Sequence, residues 1–545
     1  MKSTMMSSPL LLTGILERAA KIFPYAEVVS VRPDGSRVRS NYLEVHRRAK
    51  RLSAALLESG IRTGDRVATL MWNQQEHLEA YFGVPAAGAV LHTLNLRLHP
   101  EEIAYIVNHA EDRFLIVDAS LLEIFEQFRP HVRLERVFVV NQGCDRQTDG
   151  GESYDQFLAQ APGEPNYPDL AEDDAAAMCY TSGTTGKPKG VLYSHRALVL
   201  HSLANALPDQ VHFSCHDTVL PAMSMFHANA WGFPYAATMT GSKQVFPGRN
   251  LQPEALLDLL ESEQVTLTGA VPTIWLAVLN TLDSHPHRWK LASGMRVIVA
   301  GSAAPESMFR RFDKLGVRVI QPWGMTETTP FATVCTLKPH MNDWSDDERY
   351  GLRAKQGFPT PLIEIRATND AEETPWDGAT AGELEVRGPW VASAYYKMDQ
   401  SDRWTKDGWF RTGDVVTIDA EGYVKITDRV KDLIKSGGEW ISSVDVENAI
   451  VAHEAVKEAA VIAVPHPKWV ERPVAVIVLK DGRQVSDSEL CAFLSQRFAK
   501  WQLPDAFVFV DELPHTSTGK LLKSKLRQQY RDWQWDPVAA GQSSA

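Results

Sequence analysis

The sequence predicts an α/β protein: a large N-terminal domain of stacked β/α subdomains with a small β unit, followed by a small α+β C-terminal domain. Three observations carry this. Extended and helical patterns alternate up to about residue 356, short runs between turn residues follow, and a compact α+β pattern closes the chain. At 545 residues the chain also exceeds what one hydrophobic core organises, so at least two domains are expected.

The first helix is read from Val45, Ala49, Leu52 and Leu56, with Gly60 placed to end it. A short buried strand is predicted at 66–70, a helix at 75–82, a strand at 90–94, a helix at 100–109 and a strand at 113–117. Such alternation gives parallel β/α units with helices over the sheet faces. A second series of strands is predicted at 218–221, 243–246, 266–270, 297–300 and 317–320. Beyond 356, runs at 383–387, 415–418 and 423–426 lie between Gly and Asp turns and read as a small antiparallel unit. The last pattern is a helix at 444–453, strands at 459–464 and 475–479, a helix at 486–500 and a strand at 507–510. The charged segment Asp428-Arg429-Val430-Lys431-Asp432 marks the boundary, giving domains 1–430 and 431–545.

A formal charge of −12 excludes a dominant basic surface, and with it a nucleic-acid partner. Five scattered cysteines without a C-x-x-C pair point to a reducing, cytoplasmic compartment rather than a disulfide framework or zinc site. No apolar run approaches the roughly 20 residues of a membrane span, and Leu10–Leu12 is too short for a signal-peptide core. Peripheral membrane contact stays open.

Chemistry concentrates first in Tyr180-Thr181-Ser182-Gly183-Thr184-Thr185-Gly186-Lys187-Pro188-Lys189-Gly190, directly after an apolar stretch. Three glycines, four aliphatic hydroxyls and two lysines in eleven residues suit a phosphate cradle, although a flexible polar loop has the same composition. It is not a Walker loop, because Pro188 stands where the Mg²⁺-binding Ser/Thr would be. Met225-Phe226-His227-Ala228-Asn229-Ala230-Trp231 places a histidine among aromatics, a setting equally suited to a core histidine. Ala300-Gly301-Ser302-Ala303 offers small residues at a strand end, against which a flat ring or a plain turn fits. Gln321-Pro322-Trp323-Gly324-Met325-Thr326-Glu327 combines a stacking face with hard oxygens for Mg²⁺; a surface glutamate is the alternative. Asp414, behind the Thr412-Gly413 turn, suits a ribose or is one more Gly-Asp turn. Last come the 428–439 segment and Pro514-His515-Thr516-Ser517-Thr518-Gly519-Lys520, where one lysine sits on a Gly/Thr-rich loop.

In this order, over nearly the whole chain, these segments resemble the adenylate-forming superfamily, which includes acyl-CoA synthetases, firefly-type luciferases and peptide-synthetase adenylation domains. The signature Thr-Ser-Gly-Thr-Thr-Gly-x-Pro-Lys-Gly matches without a gap at 181–190. Tyr193-Ser194-His195-Arg196, Lys435-Ser436-Gly437-Gly438-Glu439-Trp440-Ile441-Ser442 and Trp501-Gln502-Leu503-Pro504-Asp505 look like medium- and long-chain fatty acyl-CoA synthetases.

The resemblance implies ATP, Mg²⁺ and coenzyme A, a fatty acid activated through acyl-AMP, and a mobile C-terminal domain. It implies that Thr181, Ser182, Gly183, Thr184, Thr185, Gly186, Lys187 and Lys189 hold phosphates. Gly301, Ser302, Ala303, Gln321, Trp323 and Gly324 would surround adenine, and Asp414 and Arg429 would take the ribose. Glu327 and Thr184 would hold Mg²⁺, with Thr326 assisting, and Lys520 would bridge the carboxylate and α-phosphate. His227 would stand between nucleotide and acyl sites with Trp231 as a gate, Lys431 would be the hinge, and Lys435, Gly437 and Gly438 would meet coenzyme A. A homodimer is implied too. Ser224, Ala300 and Trp323 depart from the usual Pro, Gly and Tyr, and the Ala300 change touches the acyl side. An aryl or methylthio short-chain acid, a carrier-protein acceptor, a luciferase-like oxidase and a silent nucleotide sensor are the rival readings.

Overall fold

The computed structural model describes residues 1, 3–143, 146–161, 163, 165, 167–181, 187–369, 372–398, 402–429, 431–436, 439–516, 521–531 and 533–535. Apolar strand segments lie where the sequence puts them: Arg66–Leu70, Thr218–Pro221 and Lys243–Phe246 match their predicted limits. They fall into two large sheets. One has seven strands in the order Gly151–Ser153, Arg136–Val140, Asp112–Asp118, Arg66–Leu70, Val90–Thr93, Ala175–Tyr180, Gly190–Ser194. The other has nine, running from Phe358–Pro359 through Phe331–Cys335, Arg318–Gly324, Arg296–Val299, Leu267–Ala270, Thr218–Pro221 and Lys243–Phe246 to Glu27–Val31 and Arg37–Asn41.

The interiors of both sheets are parallel, as strand–helix alternation requires, but several edge pairings are antiparallel. Gly190–Ser194 folds back on Ala175–Tyr180 because the intervening connection is too short for a parallel crossover. The two ends of the Gly/Thr/Lys run are thereby held together, with the Thr181 amide donating to the Lys189 carbonyl at 2.9 Å. The N-terminal hairpin Glu27–Val31/Arg37–Asn41 joins the second sheet beside Lys243–Phe246, more than 200 residues away. Arg37, Arg39 and Lys243 all reach the buried carboxylate of Glu263, at 2.7, 2.6 and 2.8 Å.

Beyond residue 356 a five-stranded antiparallel sheet forms in the order Glu372–Glu373, Glu364–Asn369, Gly382–Arg387, Phe410–Ile418, Val424–Arg429. Two of these strands are longer than predicted, so Asp414 lies within a strand, opposite Arg429, rather than behind an open turn. Gly413 supplies the bend that precedes it, at φ 75°. The C-terminal unit pairs Val456–His466 with Val470–Leu479, and Ala506–Phe509 joins the latter in parallel. The helix predicted over 486–500 stops at Leu494. Leu490 and Leu494 are its buried residues, and the polar Gln496, Arg497 and Lys500 that follow have no core face to cover.

Candidate active site

Parallel strands Arg296–Val299 and Arg318–Gly324 are neighbours, so the residues at their C-terminal ends meet at one sheet margin, where α/β folds hold ligands. There Gly301, Ser302 and Ala303 face Gln321, Trp323 and Gly324 across a cavity of about 340 Å³. Asp414, Arg429 and Lys431 extend the lining, and Glu447, His515, Lys523 and Arg527 of the C-terminal unit close it.

The fixed groups of this cavity are oriented by their neighbours. Gln321 accepts from the Ala304 amide at 3.3 Å and donates to the Ala354 carbonyl at 3.1 Å, which locks its side chain and the 301–304 turn together. A Cβ on Gly324 would lie 1.8 Å from the Pro330 carbonyl oxygen, so no other residue fits. The Trp323 indole donates to Asp414 Oδ2 at 2.9 Å, and Asp414 Oδ1 pairs with Arg429 Nε at 2.9 Å. This indole N–H supplies a link that replacement of the usual tyrosine gave no reason to expect. The Asp414 carboxylate, with burial opposing, raises the Arg429 pKa, and Glu327 adds to the same field.

Glu327 is 4% exposed and outside the cavity lining. Its Oε1 accepts from the Tyr395 hydroxyl at 2.6 Å, and its carbonyl accepts from the Ala392 amide at 2.8 Å. The neighbouring Thr326 carbonyl accepts from Tyr193 at 2.7 Å. Lys189 sits over the Tyr395 ring and Lys187 over the Tyr105 ring, each with Nζ 4.8 Å from the centroid. Among the described residues no group of three or more His, Cys, Asp or Glu gathers to hold a metal ion. One buried carboxylate beside a phosphate-suited loop fits Mg²⁺, which takes few protein oxygens and several from phosphate and water. Ser182, Gly183, Thr184, Thr185 and Gly186 lie outside the described residues, as do Gly437, Gly438 and Lys520.

Trp231 belongs to a separate, buried cluster, and the half-buried His227 lies just before it in the chain. Ala228, Asn229, Ala230, Trp231 and Gly232 all have positive φ, from 42° to 78°, which makes a left-handed turn. Such backbone costs roughly 1–2 kcal/mol per non-glycine residue. A polar net holds it: Asn229 accepts from the Cys179 thiol at 2.9 Å and donates to the Tyr235 hydroxyl at 3.3 Å. Asn73 brackets the preceding segment, donating to the Met223 carbonyl and accepting from the Met225 amide, both at 2.8 Å. Trp231 packs against Phe331 with ring centroids 5.8 Å apart. Burial pushes the Cys179 thiol up to about 11, so it serves here as a hydrogen-bond donor.

On the C-terminal side, Lys431 lines the cavity, and burial lowers its pKa. Lys435 lies on the short strand Ile434–Ser436, its amide donating to Glu471 at 2.8 Å, away from the lining. Sequence reasoning passed over Lys523. Its ammonium donates to Ser443 Oγ and pairs with Glu447, both at 2.6 Å, while Asp428 accepts from the Ser443 amide at 2.6 Å. Burial opposes the charge on Lys523, but Glu447 and Asp428 outweigh it and its pKa rises. Its position three residues after Lys520 was the available signal. Tyr395 and Asn73 carried none.

The AMP-binding enzyme family profile matches residues 16–396, and that of the AMP-binding enzyme C-terminal domain matches 445–520. The chain is 49% identical to a long-chain-fatty-acid–CoA ligase of Thermus thermophilus, covering 97% of both chains. It is 45% identical to a 3-methylmercaptopropionyl-CoA ligase of Ruegeria pomeroyi, over 98% of this chain and 99% of that one. It is 44% identical to a medium-chain-fatty-acid–CoA ligase of Ectopseudomonas oleovorans, over 98% of each. Among solved structures, the anthranilate CoA ligase AuaEII in complex with anthranoyl-AMP superposes with a TM-score of 0.85 at 25% identity, over 97% of this chain and 99% of that one.

Proposed function

Because this chain belongs to the AMP-binding enzyme family, we propose that it joins a medium- or long-chain fatty acid to coenzyme A at the expense of ATP. The observation that carries this is the Trp323–Asp414–Arg429 constellation beside Gly301–Ala303. It offers a flat apolar slot for a purine next to a carboxylate and a guanidinium suited to sugar hydroxyls.

In the first half-reaction a carboxylate oxygen attacks the α-phosphorus, the bond to the bridging oxygen breaks, and pyrophosphate leaves. In the second, the thiol sulfur attacks the acyl carbonyl carbon of acyl-AMP, AMP departs, and the thiol proton passes to solvent. Neither step needs a side-chain nucleophile, so the work is positioning and charge neutralisation. Trp323 and the 301–303 turn hold the base, while Asp414 and Arg429 exchange part of their mutual pairing for the ribose hydroxyls. Thr181, Lys187, Lys189 and the residues between them take the β- and γ-phosphates, and Lys520 bridges carboxylate and α-phosphate. Glu327 and Thr184, with Thr326 assisting, would hold Mg²⁺, which would neutralise phosphate charge. The C-terminal domain, hinged at Lys431 where residues 1–430 give way to 431–545, then turns to bring Lys435, Gly437 and Gly438 toward the thiol arm.

His227 and Trp231 stand on the acyl side, where the left-handed turn fixes Trp231 as a gate. The relative named for a methylthio acid supports a second reading, a short branched or sulfur-containing carboxylate. We assign the protein to the cytoplasm on its scattered cysteines. Among the described residues no helix is long and apolar enough to cross a membrane. Pyrophosphate release measured over carboxylates from acetate to palmitate, with and without coenzyme A, tests the substrate. A maximum among C6–C16 acids is expected; a flat profile, or a higher rate on a 3-methylthio acid added to the panel, refutes the fatty-acid reading.

A further inference from the structure

We propose that Tyr395 is a positioning residue that sets the spacing between the Glu327 carboxylate, expected to meet Mg²⁺, and Lys189, expected to meet phosphate. This rests on the adenylating role proposed above. The side chain is 5% exposed and makes two contacts of different kinds. Its hydroxyl donates to Glu327 Oε1 at 2.6 Å, and its ring face carries the Lys189 ammonium at 4.8 Å. One rigid phenol thus touches both the carboxylate expected to meet Mg²⁺ and a lysine expected to meet phosphate.

The main chain around Tyr395 repeats the same connection. The Ala392 amide donates to the Glu327 carbonyl at 2.8 Å, and the Tyr396 amide donates to the Gly190 carbonyl at 2.8 Å, where the strand Gly190–Ser194 begins. Trp404 braces this strap, packing edge-on to Tyr395 with centroids 5.0 Å apart and donating to the Ala392 carbonyl at 2.6 Å. With one oxygen occupied by the Tyr395 hydroxyl, the Glu327 carboxylate is fixed in rotation, which is how outer groups orient metal ligands. The tyrosine touches neither substrate nor reacting atoms; it acts through Glu327 and Lys189.

The test is binding calorimetry with an α,β-methylene ATP analogue, in excess Mg²⁺ and again in EDTA, on the full chain. Wild-type protein should bind more tightly with Mg²⁺. Tyr395→Phe keeps the ring under Lys189 and removes the bond to Glu327. It should match wild type in EDTA while losing about ten- to a hundredfold of the Mg²⁺-dependent tightening. In a Glu327→Ala background, Tyr395→Phe should change nothing further, and melting temperatures should verify that each variant is folded. Retention of the full Mg²⁺-dependent tightening by Tyr395→Phe would overturn the proposal. So would an equal loss in EDTA, which is the mark of general damage. A wild-type protein that binds no nucleotide under either condition would instead remove the adenylating role beneath it.

Discussion

On one side of the cavity, Gln321, Trp323 and Asp414 sit on strands and make their hydrogen bonds to groups of the same wall. On the other, Glu447 and Lys523 form a buried ion pair, and the C-terminal unit reaches back through a few polar links. Among the described residues these include Ser443 to Asp428 at 2.6 Å, Ser442 to the Thr427 carbonyl, and the Lys425–Asp445 pair at 3.1 Å. Exposed pairs of the last kind contribute under ~1 kcal/mol. A wall bonded within itself keeps its shape when its neighbour leaves; a wall attached by a few exchangeable contacts can turn away. The contrast matches the division of labour proposed here, with base and sugar held throughout and the charge at Lys520 present for only one step.

The contrast can be broken by substitution. The largest effect is expected from Asp414→Ala, which empties the fixed wall of its anchor. It should lower both half-reactions, each on the order of 10²–10³-fold, read as pyrophosphate release and as thioester formation from supplied acyl-AMP. Next is Lys523→Met, which leaves Glu447 buried without its partner and should cost about 3 kcal/mol in denaturant titration. Lowering the pH should also destabilise the N-terminal domain. Burial holds His77 at about 4 and His201 at about 3, whereas an unfolded imidazole titrates near 6.5. Stability from these two is whole above 6.5 and lost as pH falls toward the folded values. By pH 5 each should cost on the order of 2 kcal/mol, seen in denaturation midpoints across pH. The smallest effect is expected from Lys425→Met, under ~1 kcal/mol. A loss there as large as for Lys523→Met would undo the distinction between the walls.

Much of the fixed wall was legible in sequence because it is local: strand, turn and functional residue follow one another at 297–303 and 317–327. Arg429 could be paired with Asp414 in function by resemblance, but their register opposition needed the strand pairing itself. The N-terminal hairpin was missed because its partner strand lies over 200 residues away, and because Arg37 and Arg39 look solvated until Glu263 is placed beside them. The left-handed turn at Ala228–Gly232 has no sequence mark, since four of its five residues are not glycine. Tyr395 falls in a segment whose two attachments, Glu327 and Gly190, are far apart along the chain and adjacent only in space.

The central claim is that one cleft serves two reactions by exchanging its C-terminal wall. Lys520→Ala tests it most directly, assayed separately for acyl-AMP formation from acid and ATP and for thioester formation from supplied acyl-AMP and coenzyme A. A loss on the order of 10²–10³-fold is expected in the first and little change in the second. Equal loss in both would contradict it.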